Sequence, residues 1–63
     1  MNGKQILARL KEEGWVLARI EGSHHIMEKK AMPRGVRVPV HGAKDIGIGL
    51  LKAIEKQTGV KLK

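Results

Sequence analysis

Three histidines carry most of the chemistry this 63-residue chain could perform near neutral pH, since it contains no cysteine. Two are adjacent, His24 and His25, directly after Gly22-Ser23. The third, His41, closes the stretch Val38-Pro39-Val40-His41. An ordinary imidazole titrates at about 6.5, so one exposed on a basic surface can act as general base or general acid. RNA supplies its own nucleophile, the ribose 2′-OH. An imidazole that removes that proton lets the oxygen attack the adjacent phosphorus, and such help contributes on the order of 10²–10⁴-fold. Neighbouring Lys and Arg would steady the charge building on the phosphate oxygens. Spacing alone favours a plainer role, strand histidines hydrogen-bonded to loop backbone, because adjacent histidines carry no specific signature.

Other chemistries fit less well. Zinc held by His24, His25 and His41 would need ligands that converge, yet there is no i, i+4 pair and strand neighbours point to opposite faces. No metal or cofactor is expected. Ser23 as a nucleophile would need a base and an orienting acid, and Asp45 is the only aspartate. Its hydroxyl better suits a turn or a phosphate contact.

The elements that must position these residues follow from pattern. Asn2 is an N-cap for a helix over Gly3–Glu13, with Ile6, Leu7 and Leu10 as its apolar stripe. Gly14 and Trp15 then read as a left-handed stop and the hydrophobe that folds back on the helix. A strand is expected over Trp15–Ile20, a tight turn at Glu21-Gly22-Ser23, and a second strand over His24–Glu28. Lys29–Gly35 is a charged loop. Val36, Val38 and Val40 alternate with Arg37 and Pro39 as a half-buried third strand, placed at an edge by the proline. Asp45 is a candidate cap ahead of a last helix over Ile48–Thr58, which Gly59 ends. Lys61–Lys63 reads as a tail. The order α-β-β-β-α predicts an α+β two-layer sandwich. Both helices would cover one face of a three-stranded antiparallel sheet, as in double-stranded-RNA-binding domains.

Period-two alternation puts His24, Ile26 and Glu28 on one face of the second strand and His25, Met27 and Lys29 on the other. Met27 suits a core and Glu28 suits water, so His24 falls on the open face and His25 near the helices. Ile26 is the discordant residue, since this parity exposes it.

Length allows a single domain, residues 1–63, with a thin core. No apolar run reaches the ~20 residues of a membrane span and no signal-peptide core is present, so the cytoplasm is expected and a membrane is not. Thirteen Lys plus Arg against six Asp plus Glu give a net charge of +7, which favours a polyanionic partner. Trp15 is the sole aromatic, which argues against base-stacking platforms and for contact through phosphate and sugar. Lys29, Lys30, Arg34 and Arg37 are candidate phosphate contacts by charge and closeness to the histidine strand. Arg37 is the better of the two arginines because it alternates with the valines.

Four stretches are distinctive in combination: Leu10 with Gly14-Trp15, Gly22-Ser23-His24-His25, Val36-Arg37-Val38-Pro39-Val40-His41, and the closing Gly49-Leu50-Leu51-Lys52-Ala53-Ile54-Glu55-Lys56-Gln57-Thr58-Gly59-Val60. Together they resemble the HicA family of mRNA interferase toxins. The resemblance implies a double-stranded-RNA-binding-like fold, metal-independent endonucleolytic cleavage of mRNA, and neutralisation by a HicB-type antitoxin. It also implies a catalytic histidine in the Gly-Ser-His motif. His24 is the closer match, His25 is the alternative, and Gly22 and Ser23 form the turn that presents them. The chain departs from the family at Ile26-Met27, where an aromatic is common, and at Leu50, where threonine or serine is common. The rival from another class is a non-catalytic RNA-binding module using the same basic surface. A third reading is an interaction protein that only occupies a partner.

Overall fold

The computed structural model describes residues 1–62, so the final residue of the expected tail, Lys63, lies outside the described residues. The elements run α1 (Gly3–Glu12), β1 (Val16–Glu21), β2 (His24–Glu28), β3 (Val36–Pro39) and α2 (Ile48–Thr58). The strands form one antiparallel sheet in the order β1-β2-β3. Ile6 and Leu10 of α1 and Leu51 and Ile54 of α2 share a core with Met27, Val36 and Val38. Those three strand residues lie on one sheet face, so both helices cover that face and leave the other open. This is the α-β-β-β-α sandwich of double-stranded-RNA-binding domains.

Local chemistry sets the ends of α1. The Asn2 side chain accepts from the Gln5 N–H at 2.9 Å, and the Gln5 side chain accepts from the Asn2 N–H at 2.8 Å. This reciprocal capping box satisfies two donors that the first turn would otherwise leave bare. At the other end the Gly14 N–H donates to the Lys11 carbonyl and the Trp15 N–H to the Leu10 carbonyl, with Gly14 at a φ of 96°. These are the paired bonds of a Schellman stop, and they turn Trp15 back into the core at 1 % exposure. Trp15 therefore packs ahead of β1 instead of opening it.

The N-terminus of α1 sits tightly against the end of β3. A Cβ on Gly3 would overlap the Pro39 carbonyl oxygen and crowd Val40. β3 ends at Pro39, one residue short of the alternation, and the Val40 N–H donates to the Ser23 carbonyl at 2.8 Å. That bond ties the strand's exit to the β1–β2 turn.

Both helices lean on β3, one edge of the sheet, and β1, the other edge, is exposed along its whole length. Leu17 and Ile20 point to the helix side but have no helix over them, which explains apolar residues in contact with water. β1 also carries a bulge: Leu17 pairs with Met27 and Arg19 with Ile26, so Ala18 has no partner on β2.

Two expectations fail near the C-terminus. Asp45 does not cap α2; it bridges to Asn2 and lies 3.5 Å from the Met1 amino group, and Gly47 takes the cap with no side-chain bond. The tail is not loose through Leu62. Its side chain is 5 % exposed within the core, and its N–H donates to the Glu55 carboxylate at 2.8 Å. A hydrophobe flanked by lysines is enough to anchor a terminal segment when a groove beside α2 is vacant, and local pattern does not reveal that groove.

Candidate active site

The β1–β2 hairpin closes over two residues, with Glu21 paired to His24 across Gly22-Ser23. Gly22 has a φ of 60°, the left-handed value that glycine supplies at the first central position of a type II′ turn. His24 is thus the first residue after the turn, and the register decides where it faces. His25 pairs with Val38 and Met27 with Val36, both on the helix-covered side. His24, Ile26 and Glu28 consequently face the uncovered side. His24 lies between Glu21 on β1 and Pro39 on β3, partly exposed.

His25 is placed differently. Its ring stands among Ile20, Val38 and the helix side, and its Nδ1 is buried with no hydrogen-bond partner among the described residues. That nitrogen is poorly placed to exchange a proton with a substrate, although His25 as a residue is partly exposed, as His24 is.

Ile26, expected in water, is only 3 % exposed on the uncovered face. Its two cross-strand partners are Arg19 and Arg37, one from each side. Both share its face of the sheet and turn their guanidiniums to Glu21, which leaves their stems to cover the isoleucine as long charged side chains commonly do. Arg19 Nε donates to Glu21 Oε2 at 2.6 Å and Arg37 Nη2 donates to Glu21 Oε1 at 3.1 Å. Arg19 Nη1 also lies 3.8 Å from Glu28 Oε2. The hydrogen bond from Arg19, then its charge, then the bond from Arg37 hold the Glu21 carboxyl below the usual carboxylate range. The same bond holds Arg19 more firmly protonated. Arg37 spends one of its five donors on this link and keeps the rest for a ligand.

The four candidate phosphate contacts separate into two places. Arg37 lies on the histidine face beside Ile26. Lys29, Lys30 and Arg34 instead line an open cleft of about 460 Å³ at the far end of β2, together with Val16, Glu28, Met32, Pro33 and Gly35. Lys29 leans toward the end of α1, its stem near Gly14. His41 sits in the exposed turn after β3, where its carbonyl accepts from the Lys44 N–H, and is not gathered into the site. Among the described residues no three His, Cys, Asp or Glu side chains come together as metal ligands would.

Arg19 and Glu21 are the site residues that sequence reasoning missed. The signal was present in the hairpin: a two-residue turn that pairs Glu21 with His24 must also bring position 19 opposite 26.

The fold and this face together define a small double-stranded-RNA-binding-like domain that presents a histidine on an uncovered, arginine-bearing sheet. Residues 3–60 match the family described as the HicA toxin of bacterial toxin–antitoxin systems, and the chain belongs to that family. It is accordingly the toxin member of such a system, a class defined by pairing with an antitoxin. A comparison with curated proteins returned no match. No helix among the described residues is long and apolar enough to cross a membrane.

Proposed function

We propose that the protein is a metal-independent endoribonuclease that cleaves mRNA, with His24 moving the proton and a HicB-type antitoxin holding it in check in the cytoplasm. The observation that carries this reading is the division of the two histidines by register. His24 stands at the head of β2 on the uncovered face, and His25 stands on the helix side with Nδ1 sealed.

In the proposed reaction the His24 imidazole takes the proton of a ribose 2′-OH. The freed oxygen attacks the adjacent phosphorus, the bond to the 5′-oxygen breaks, and that oxygen takes a proton from water while the His24 imidazolium returns its own to solvent. The products are a 2′,3′-cyclic phosphate and a 5′-hydroxyl. Arg37, with donors to spare, and Arg19 are placed to offset the charge that develops on the phosphate oxygens. The Gly22-Ser23 turn fixes where the ring begins, and Lys29, Lys30 and Arg34 contribute phosphate contacts farther along.

The decisive experiment is cleavage of a single-stranded RNA by the His24→Ala variant, with circular dichroism and antitoxin binding as checks on the fold. Loss of cleavage with both checks retained is expected. Full cleavage would remove His24 from the chemistry and leave a binding module.

A further inference from the structure

The cleft at the far end of β2 belongs to the same surface as His24. Val16 and Glu28 are cross-strand partners on the uncovered face, and both line it. A Cβ on Gly35, another lining residue, would touch the side chains of Ile26 and Glu28, which share that face with His24. His24 and Glu28 bound β2, and four residue steps at roughly 3.3 Å separate them by about 13 Å. A stacked strand crosses that distance in about four nucleotides at roughly 3.4 Å each, and an extended strand in fewer.

The composition of the cleft suits one nucleotide of such a strand. Its volume of about 460 Å³ lies within the range of small-ligand clefts. Val16, Met32 and Pro33 supply apolar wall for the face of a base, and Lys29, Lys30 and Arg34 outnumber the single carboxylate of Glu28. Neither Lys30 nor Arg34 makes an ion pair among the described residues, in contrast to Arg9, Arg19 and Arg37. Two unengaged cations beside an apolar wall, on the same face as a candidate catalytic imidazole, form a seat for a phosphate and its base.

We infer that this cleft is a remote subsite of the RNA strand, holding a nucleotide two to four positions from the bond that is cut. The inference rests on the ribonuclease reading above and adds to it a minimum substrate length. RNA long enough to reach from His24 to the cleft binds better than RNA that cannot, and Lys30 and Arg34 supply the difference.

The test compares a 12-nucleotide single-stranded RNA with a dinucleotide, using the wild type and a Lys30→Ala/Arg34→Ala variant. Both side chains are exposed in a loop, so the fold should survive. A Lys52→Ala/Lys56→Ala variant on the exposed side of α2 controls for net charge. The expected result is a roughly tenfold rise in KM for the 12-mer with kcat retained, so that its advantage over the dinucleotide collapses. Anisotropy on a labelled 12-mer, in a His24→Ala background, reads the subsite without cleavage. There the salt slope should fall by about 1.4, at roughly 0.7 for each lost phosphate contact. An unchanged KM and salt slope would overturn the inference, as would an equal loss from the α2 control. Persistent cleavage by His24→Ala would defeat the catalytic reading alone, because the anisotropy comparison stands without it.

Discussion

Arg37 Nη2 donates to Glu21 Oε1 at 3.1 Å, a bond that spans sixteen residues of sequence and crosses β2. Arg19 reaches the other oxygen of the same carboxylate, so one glutamate fixes two arginines over Ile26 and next to His24. Glu21 thereby sets where the positive charges of this face sit.

Glu21→Gln should loosen that arrangement. Glu21 is held below the usual carboxylate range, so its contribution to stability is complete above the unfolded value of about 4.3 and is lost as pH falls through the lower folded value. Thermal midpoints measured from neutral pH into acid should therefore fall less steeply for Glu21→Gln than for the wild type. At neutral pH the variant should lose little, because exposed ion pairs contribute little. Its RNA affinity, measured in a His24→Ala background, should tighten as Arg19 and Arg37 are released. Weaker binding would mean that the glutamate orients the arginines for the phosphate.

The two histidines should part company under substitution. His24→Ala is expected to lower cleavage by about 10²–10⁴-fold, the range of general acid–base help. His25→Phe should retain cleavage and hold or raise the thermal midpoint. It replaces a buried, unpartnered nitrogen with a ring of similar shape, a change that is often neutral or stabilising. Loss of activity with intact stability in His25→Phe would reverse the assignment.

Chelation and pH provide an independent check. Cleavage should survive EDTA, and its rate should vary with pH in a way that the residual activity of His24→Ala does not share. Loss of activity on chelation would call for a metal.

Three glycines should respond with different signs. Gly3→Ala drives a Cβ into the Pro39 carbonyl and should cost about 1–3 kcal/mol, the usual penalty for overpacking. Gly22→Ala meets no neighbour but must hold a left-handed φ, at about 1–2 kcal/mol. Gly49→Ala, in open space within α2, should stabilise by about 0.5–1 kcal/mol. Urea midpoints order the three. In a domain of this size, with roughly 0.05–0.15 kcal/mol of stability per residue, the Gly3 variant is at risk of unfolding.

Much of the molecule could be read from local pattern. Gly14-Trp15 announced the end of α1, Gly22 announced the hairpin, and alternation placed His24 on the open face. What escaped was set by residues distant in sequence. Ile26 contradicted the alternation until two arginines from neighbouring strands were found beside it. Leu62 looked like tail because the groove it fills is made by α2 and the core. Asp45 had a cap's composition, but Met1 and Asn2 engaged it first. The four basic candidates shared one stretch of sequence, and only the course of the 29–35 loop separates Arg37 from the other three.

Ala18, the residue with no counterpart on β2, has a consequence for solubility. A straight outer strand offers its free N–H and C=O groups as a template for a neighbour's backbone, and Val16, Leu17 and Ile20 would add adhesion. The kink spoils that template. Removing Ala18 would preserve the pairings on both sides while straightening the margin, so the shortened chain should form fibrils or precipitate at concentrations where the native chain stays dispersed.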